Sequence, residues 1–187
     1  MRAIILFCIL TLLACQDKSE AVAPSADHLT TTAPKLILLG TIQDAGSPQI
    51  GCQKECCRHL YAQPDPDRRV VSLGIVDADG SVYVIDATPD LPFQYESLGR
   101  QAIIDNFRLG GVFLTHAHIG HYAGLMYLGR EAMGAKAVPV YAMPRMTIFL
   151  QENGPWDQMV KLDNIDIHEM AAGDTIRLSS TLGIIPF

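Results

Sequence analysis

The 187-residue chain has no excess of basic residues: 14 lysines and arginines stand against 20 aspartates and glutamates, a formal charge of −6. A nucleic-acid-binding surface needs a basic patch to neutralise phosphate, so the composition argues against one. It leaves room for a metal-dependent nuclease, in which bound ions neutralise phosphate locally. Runs of like charge, heptad arrays and internal repeats are also missing, which removes coiled coils and solenoids from consideration. The one extended apolar stretch, Ala3–Ala14, falls short of the roughly 20 residues that a membrane-spanning helix needs. Aromatics are few, yet 49% of the chain is hydrophobic, enough for one globular domain with a real core.

Met1-Arg2 followed by Ala3–Ala14 reads as a secretory signal peptide, residues 1–14, outside the fold. It ends Leu12-Leu13-Ala14-Cys15, which resembles the bacterial lipoprotein cleavage box. That resemblance implies that Cys15 becomes the lipidated first residue and anchors the protein to a membrane; the alternative is an ordinary signal with an incidental cysteine. Several acyl chains on one residue hold a protein stably. Gln16 in place of aspartate favours, by bacterial lipoprotein precedent, the periplasmic face of the outer rather than the inner membrane. Residues 15–34 are rich in Ser, Ala, Thr and Pro without periodicity, the composition of a flexible tether. The domain then covers 35–187.

The centre of the chain is Val112–Leu125, V-F-L-T-H-A-H-I-G-H-Y-A-G-L. The apolar run Gly111–Leu114 reads as a buried strand, and His116 and His118 leave its carboxyl end two residues apart, so an extended backbone points both rings the same way. His121 follows where Tyr122–Met133 takes up a helix-like apolar pattern. Three of the six histidines thus reach one point. Neutral imidazole is the commonest metal ligand, and three of them suit zinc with a position left for water.

A second group of ligand types is G-C-Q-K-E-C-C-R-H, with Cys52, Cys56, Cys57 and His59. Three cysteines remain once Cys8 in the signal and Cys15 are set aside. One disulfide would leave an odd thiol, and the adjacent Cys56 and Cys57 pair only with strain. A structural metal held by three thiolates, completed by His59 or a distant residue, accommodates all three. A disulfide with a free thiol, and three buried reduced cysteines, are the other readings.

Lys35–Gly40 reads as a first strand and Thr41–Gly51 as a loop. Val70–Val76 and Ser81–Ala87 read as strands of a hairpin turned at Asp79-Gly80. Asp86, at the end of the second run, is placed either to hydrogen-bond the histidine loop or to cap the helix that follows. Leu91–Ile104 reads as that helix, and with the strand at Val112–Leu114 it makes a crossover unit. Ala137–Ala142 reads as a strand, Pro144–Gln151 as a helix, Gly154-Pro155-Trp156 as a loop, and Ile165–Met170 and Thr175–Leu178 as strands. His168 alternates with Ile165 and Ile167 as a solvent-facing strand residue. Leu182–Phe187 reads as an apolar strand.

His116, His118 and His121 resemble the H-x-H-x-D-H hallmark of the metallo-β-lactamase superfamily, with Gly120 where the hallmark has aspartate. The loop T-I-Q-D-A-G-S-P-Q before the cysteines, and D-A-T-P-D, are similar to the branch holding coenzyme pyrroloquinoline-quinone synthesis protein B and a phosphodiesterase of phosphonate breakdown. The resemblance implies an α/β fold of the αββα sandwich type, of which this chain is the amino-terminal half, with the remaining ligands beyond Phe187. It also implies zinc: one or two ions in the active site and a structural one on the cysteines. His116 and His118 would share the first active-site ion, and His121 would reach a second. A carboxylate restored at position 120 would raise occupancy of that second position. The implied activity is hydrolysis of a small ester-like substrate, a phosphodiester or a lactone, in the periplasm, by a chain that carries the further ligands. Residues 35–187 alone are expected to bind active-site metal weakly and hydrolyse nothing well. A non-catalytic or biosynthetic accessory protein of the same fold is the alternative.

Overall fold

The computed structural model describes residues 33–102 and 107–187. The signal peptide, Cys15 and nearly all of the tether lie outside the described residues, as does the end of the expected helix beyond position 102.

A six-stranded sheet runs in sequence order: β1 (Lys35–Gly40), β2 (Ser72–Val76), β3 (Ser81–Ile85), β4 (Arg108–Phe113), β5 (Val138–Ala142) and β6 (Ile165–Glu169). The hairpin between β2 and β3 turns at Asp79-Gly80, where Gly80 takes φ +85. From β3 onward the neighbours are parallel, and β3 reaches β4 through α2 (Leu91–Ala102). Parallel neighbours need such crossovers, and α3 (Pro144–Glu152) and α4 (Trp156–Lys161) supply the one between β5 and β6. Because β1 and β3 both run antiparallel to β2, β1 points the same way as β3 and β4. The loop after β1 therefore leaves the sheet at the edge where the parallel strands end.

Alternation within the strands separates two faces. One face carries Leu39, Val82, Val84, Val112 and Val140 against Leu98, Leu125, Leu128 and Leu150 of the helical layer. The other carries Ile75, Tyr83 and Phe113, with the rings of Phe113 and Tyr141 stacked at 4.2 Å. A small hairpin of β7 (Ile176–Arg177) and β8 (Gly183–Ile184) packs on this second face. Leu36 and Leu38 remain exposed there, at 66% and 62%. Both hairpin strands are shorter than the runs Thr175–Leu178 and Leu182–Phe187, since the ladder pairs only Ile176 with Ile184 and Arg177 with Gly183.

Two expectations are corrected. Tyr122–Met133 is not an α-helix but 3-10 turns, Ile119–His121 and Ala123–Leu128, followed by irregular turns. The cause is a close backbone approach: the Gly124 amide donates to the Ala87 carbonyl at 2.9 Å, and a Cβ at Gly124 would lie 2.0 Å from the Thr88 carbonyl oxygen. The segment is pulled onto the end of β3 and still buries Leu125 and Leu128. Gly154-Pro155-Trp156 is a loop only as far as Pro155, because α4 begins at Trp156. One element went unread, α1 (Glu55–Ala62), whose eight residues include two of the cysteines.

Candidate metal centres

Strands β3 and β4 end side by side, with Ile85 opposite Phe113, so the residues after each strand meet at the sheet edge where α/β folds place their ligands. Asp86 is the first residue off β3. Its φ of +69 is a left-handed conformation that aspartate tolerates better than most residues. Its amide donates to the Phe113 carbonyl at 2.8 Å, and its carboxylate faces the histidine loop. The carboxylate accepts from the Thr115 amide at 2.8 Å, from the Thr115 hydroxyl at 2.8 and 2.9 Å, and from His121 Nδ1 at 2.8 Å. Asp86 and His121 are both buried. The start of α2 is served by other groups, the Thr88 carbonyl accepting from the Leu91 amide and the Asp90 carbonyl from the Phe93 and Gln94 amides. Of the two placements open from sequence, Asp86 takes the histidine loop.

This carboxylate also sets which ring nitrogens are free. The single Thr115 hydroxyl proton goes to Asp86, so at 2.9 Å that oxygen accepts from His116 Nδ1–H, and His116 Nε2 is left bare. His121 likewise gives its Nδ1 proton to Asp86 and presents Nε2. Carboxylates behind ligand histidines orient metal sites in this way. His116 Nε2 faces His118 Nδ1 at 3.0 Å. Two ring nitrogens so close need a proton or a cation between them, and two nitrogens bound to one tetrahedral zinc lie about 3.3 Å apart. The pair fits one ion. His121 stands off, its ring centroid 4.1 Å from that of His116 and 6.5 Å from that of His118.

Gly120 is buried, and a Cβ there would lie 2.4 Å from the Asp44 Cβ and 2.7 Å from the Asp44 carbonyl oxygen. The expectation that a carboxylate at 120 would raise metal occupancy is therefore corrected: the loop after β1 fills the space it needs. Gly120→Asp should destabilise the domain by about 1–3 kcal/mol, the usual cost of overpacking, without added metal. Urea unfolding with metal analysis checks this, and an unchanged midpoint would mean that the loop yields freely.

Cys52, Cys56 and Cys57 are free thiols, and their sulfurs all lie within 4.8 Å of one another. Cys56 and Cys57 Sγ are 3.9 Å apart, against about 3.8 Å for two thiolates on one tetrahedral zinc. His59 does not join them; its Nδ1 lies 3.2 Å from the Glu55 carbonyl oxygen. His168 stays apart from both centres, exposed and 2.9 Å from Asp166. Trp156 packs with Tyr122 and Phe149, ring centroids 5.0 and 5.4 Å away.

A cavity of about 550 Å³ opens beside His116, walled by Leu114, Tyr122, Met146 and Phe149, with Arg145 on its lining. Sequence reasoning passed over Arg145 and Asp44. Arg145 could have been found from its place in the first turn of a helix that follows a parallel strand. Asp44 could have been found from the direction of β1, which brings its loop to the histidine edge. Asp44 Oδ2 lies 3.7 Å from His118 Nδ1.

A mixed sheet flanked by helices, with histidines gathered at its parallel edge over a buried carboxylate, defines an α/β protein with a candidate metal site there. The profile of a family described as "Beta-lactamase superfamily domain" matches residues 81–187, more than half of the chain, and the chain belongs to that superfamily. Within it the chain resembles the branch of coenzyme PQQ synthesis protein B. That protein from Xanthomonas campestris pv. campestris (strain B100) is 28% identical over 160 residues, covering 82% of this chain and 51% of the relative. The Zn(2+)-bound PqqB of Methylobacterium extorquens superposes with a TM-score of 0.65 at 22% identity, over 80% of this chain and 54% of that one. A diphosphatase from the PhnP family aligns at TM-score 0.53 and 26% identity, over 77% and 52%. The chain spans about half the length of the relatives it matches.

Proposed function

We propose that this protein is a zinc-dependent hydrolase acting on a small ester-like substrate, a phosphodiester or a lactone, in the periplasm. The observation that carries the reading is the pair of ring nitrogens 3.0 Å apart, His116 Nε2 and His118 Nδ1, of which His116 also lines the cavity. Zinc, when bound, makes water nucleophilic at neutral pH and polarises a carbonyl or phosphoryl oxygen. The chain's own residues do the rest. His116 and His118 hold the ion, the His116 tautomer being fixed through Thr115 and Asp86. His121, clamped by Asp86, presents Nε2 toward a second position. Apolar walls exclude water from one side of the cavity, and Arg145 offers a fixed positive charge to an anionic group, as a phosphodiester requires. Similarity to a diphosphatase supports phosphorus chemistry.

A second reading is an accessory protein of the same fold, supported by similarity to coenzyme PQQ synthesis protein B and by Gly120. Assays on phosphodiester and lactone model substrates, with metal removed by a chelator and restored as zinc, separate the two. Turnover lost and regained with zinc supports the hydrolase; none on either class with both centres loaded supports the accessory role.

The proposed location rests on Leu12–Cys15. The mature chain should begin at a lipid-modified Cys15 and partition with membranes, and Cys15→Ser should leave it uncleaved or mislocalised. Intact mass of the membrane-extracted protein reads this directly; a soluble product with another amino terminus would sink the anchor.

A further inference from the structure

We propose that Asp44 is a metal ligand, a carboxylate that joins the His116–His118 pair from the loop packed against Gly120. The inference rests on the reading that those two histidines hold an ion.

Three observations converge on it. Gly120 and Asp44 are fitted to each other: with no side chain at 120, Asp44 occupies the space, its Cβ 2.4 Å from where a Cβ on Gly120 would stand. The Asp44 carboxylate then reaches into the site, Oδ2 lying 3.7 Å from His118 Nδ1, the same nitrogen that faces His116 Nε2. A carboxylate oxygen and an imidazole nitrogen on one tetrahedral zinc lie about 3.4 Å apart, close to the separation of Asp44 Oδ2 from His118 Nδ1; reaching the His116 nitrogen as well requires the aspartate to move inward. Among the described residues, no other positive or titratable nitrogen lies within ion-pair distance of Asp44. The other short acidic contact to these histidines, Asp86, is buried and fully used by Thr115 and His121.

The loop is built to hold the position. On one side Thr41 and Ile42 donate to the Arg69 carbonyl at 3.1 and 2.9 Å, and Val71 donates to Ile42 at 2.7 Å. On the other, the Gly46 amide donates to the Gln43 carbonyl at 2.9 Å, and the Ala45 amide to Gln43 Oε1 at 3.0 Å. Arg68 Nε donates to Ser47 Oγ at 2.8 Å. Asp44 sits in the middle of this clasped turn, half-buried. The centre so completed has two imidazoles and one carboxylate, the number of protein ligands usual for catalytic zinc.

The test loads the cysteine centre of the full chain with one equivalent of zinc, then titrates cobalt(II) and follows its visible absorption. His116→Ala serves as the reference without a histidine centre. If the proposal holds, Asp44→Asn, which keeps shape and removes charge, weakens cobalt affinity by about tenfold or more and shifts the absorption envelope, while the melting temperature of the cobalt-free protein stays put. Asp44→Glu, which restores the carboxylate, recovers part of the affinity. Asp44→Asn binding like the parent, when His116→Ala binds nothing, overturns the ligand role and leaves the histidine centre standing. Parent and His116→Ala binding cobalt equally would remove the histidine centre and this proposal with it.

Discussion

Cys57→Ser should strip zinc from the protein and lower its melting temperature by roughly 10 °C or more. About 1 kcal/mol moves the midpoint of a domain this size by roughly 2–4 °C, and a structural zinc can contribute on the order of 10 kcal/mol. The reason for so large a share lies in what surrounds the cysteines. Cys57 and Leu60 are buried, yet neither belongs to either of the two apolar clusters that hold the sheet. The stretch from the end of β1 to Val70 is tied mainly by single hydrogen bonds: the Tyr61 hydroxyl donates to the Gln49 carbonyl at 2.6 Å, and the Cys52 amide donates to the same carbonyl at 3.1 Å. Three thiolates on one ion would replace the core this stretch lacks. Cys56→Ser, on the exposed cysteine, should lose the metal with less disturbance to packing, and so separates the loss of zinc from the loss of a buried side chain. Zinc is quantified in the purified protein carrying His116→Ala and His118→Ala, so that only the cysteine centre is counted. A disulfide in the mass spectrum with no residual zinc would refute the structural-metal reading.

The two centres are joined by the same stretch. Asp44 and Cys52 lie eight residues apart on a loop closed through Gln49 and Ser47, so loosening the cysteine end should also loosen whatever Asp44 does at the histidines. That coupling predicts weaker metal affinity at the histidine centre in the cysteine variants, measurable in the same titration.

Much of this was legible in the sequence because strand ends and periodicity are local. The β-rich runs Val70–Val76 and Ser81–Ala87, the Asp-Gly between them, and an apolar run ending in histidines give the sheet edge and the site directly. The failures have a common origin, contacts distant in sequence. Tyr122–Leu128 has a helical apolar pattern, but Gly124 lets the backbone sit on Thr88, 36 residues earlier, and the pattern is satisfied by 3-10 turns instead. Gly120 reads locally as a missing ligand. Only the loop after β1, 76 residues earlier, shows that its lack of a side chain is what admits Asp44. For Asp86 the strand end left two placements open, the histidine loop or the helix cap; the choice between them, its left-handed φ and its bonds to both Thr115 and His121 belong to the folded state.

His116→Ala should abolish zinc-dependent turnover, a fall of at least three orders of magnitude if the metal supplies the nucleophile. The substitution removes the nitrogen that faces His118 at 3.0 Å, and with it one of the two imidazoles assigned to the first ion. Folding should survive: His116 is exposed, and besides the neighbouring His118 and His121 rings it holds only the 2.9 Å contact with Thr115 Oγ1, which keeps its own bonds to Asp86. His121→Ala differs in kind. Its ring is buried and its loss leaves the Asp86 carboxylate short of a partner at 2.8 Å, so it should cost stability, about 1–3 kcal/mol, as well as activity. Comparing the two separates a ligand at the surface from one that is also a packed support: the first loses metal and rate at an unchanged unfolding midpoint, the second loses activity and stability together. The readouts are initial rates on a phosphodiester and a lactone, bound metal, and urea midpoints for each variant. A His116→Ala protein that keeps parental rates with no metal at the histidine centre would show that the chemistry does not run through these histidines.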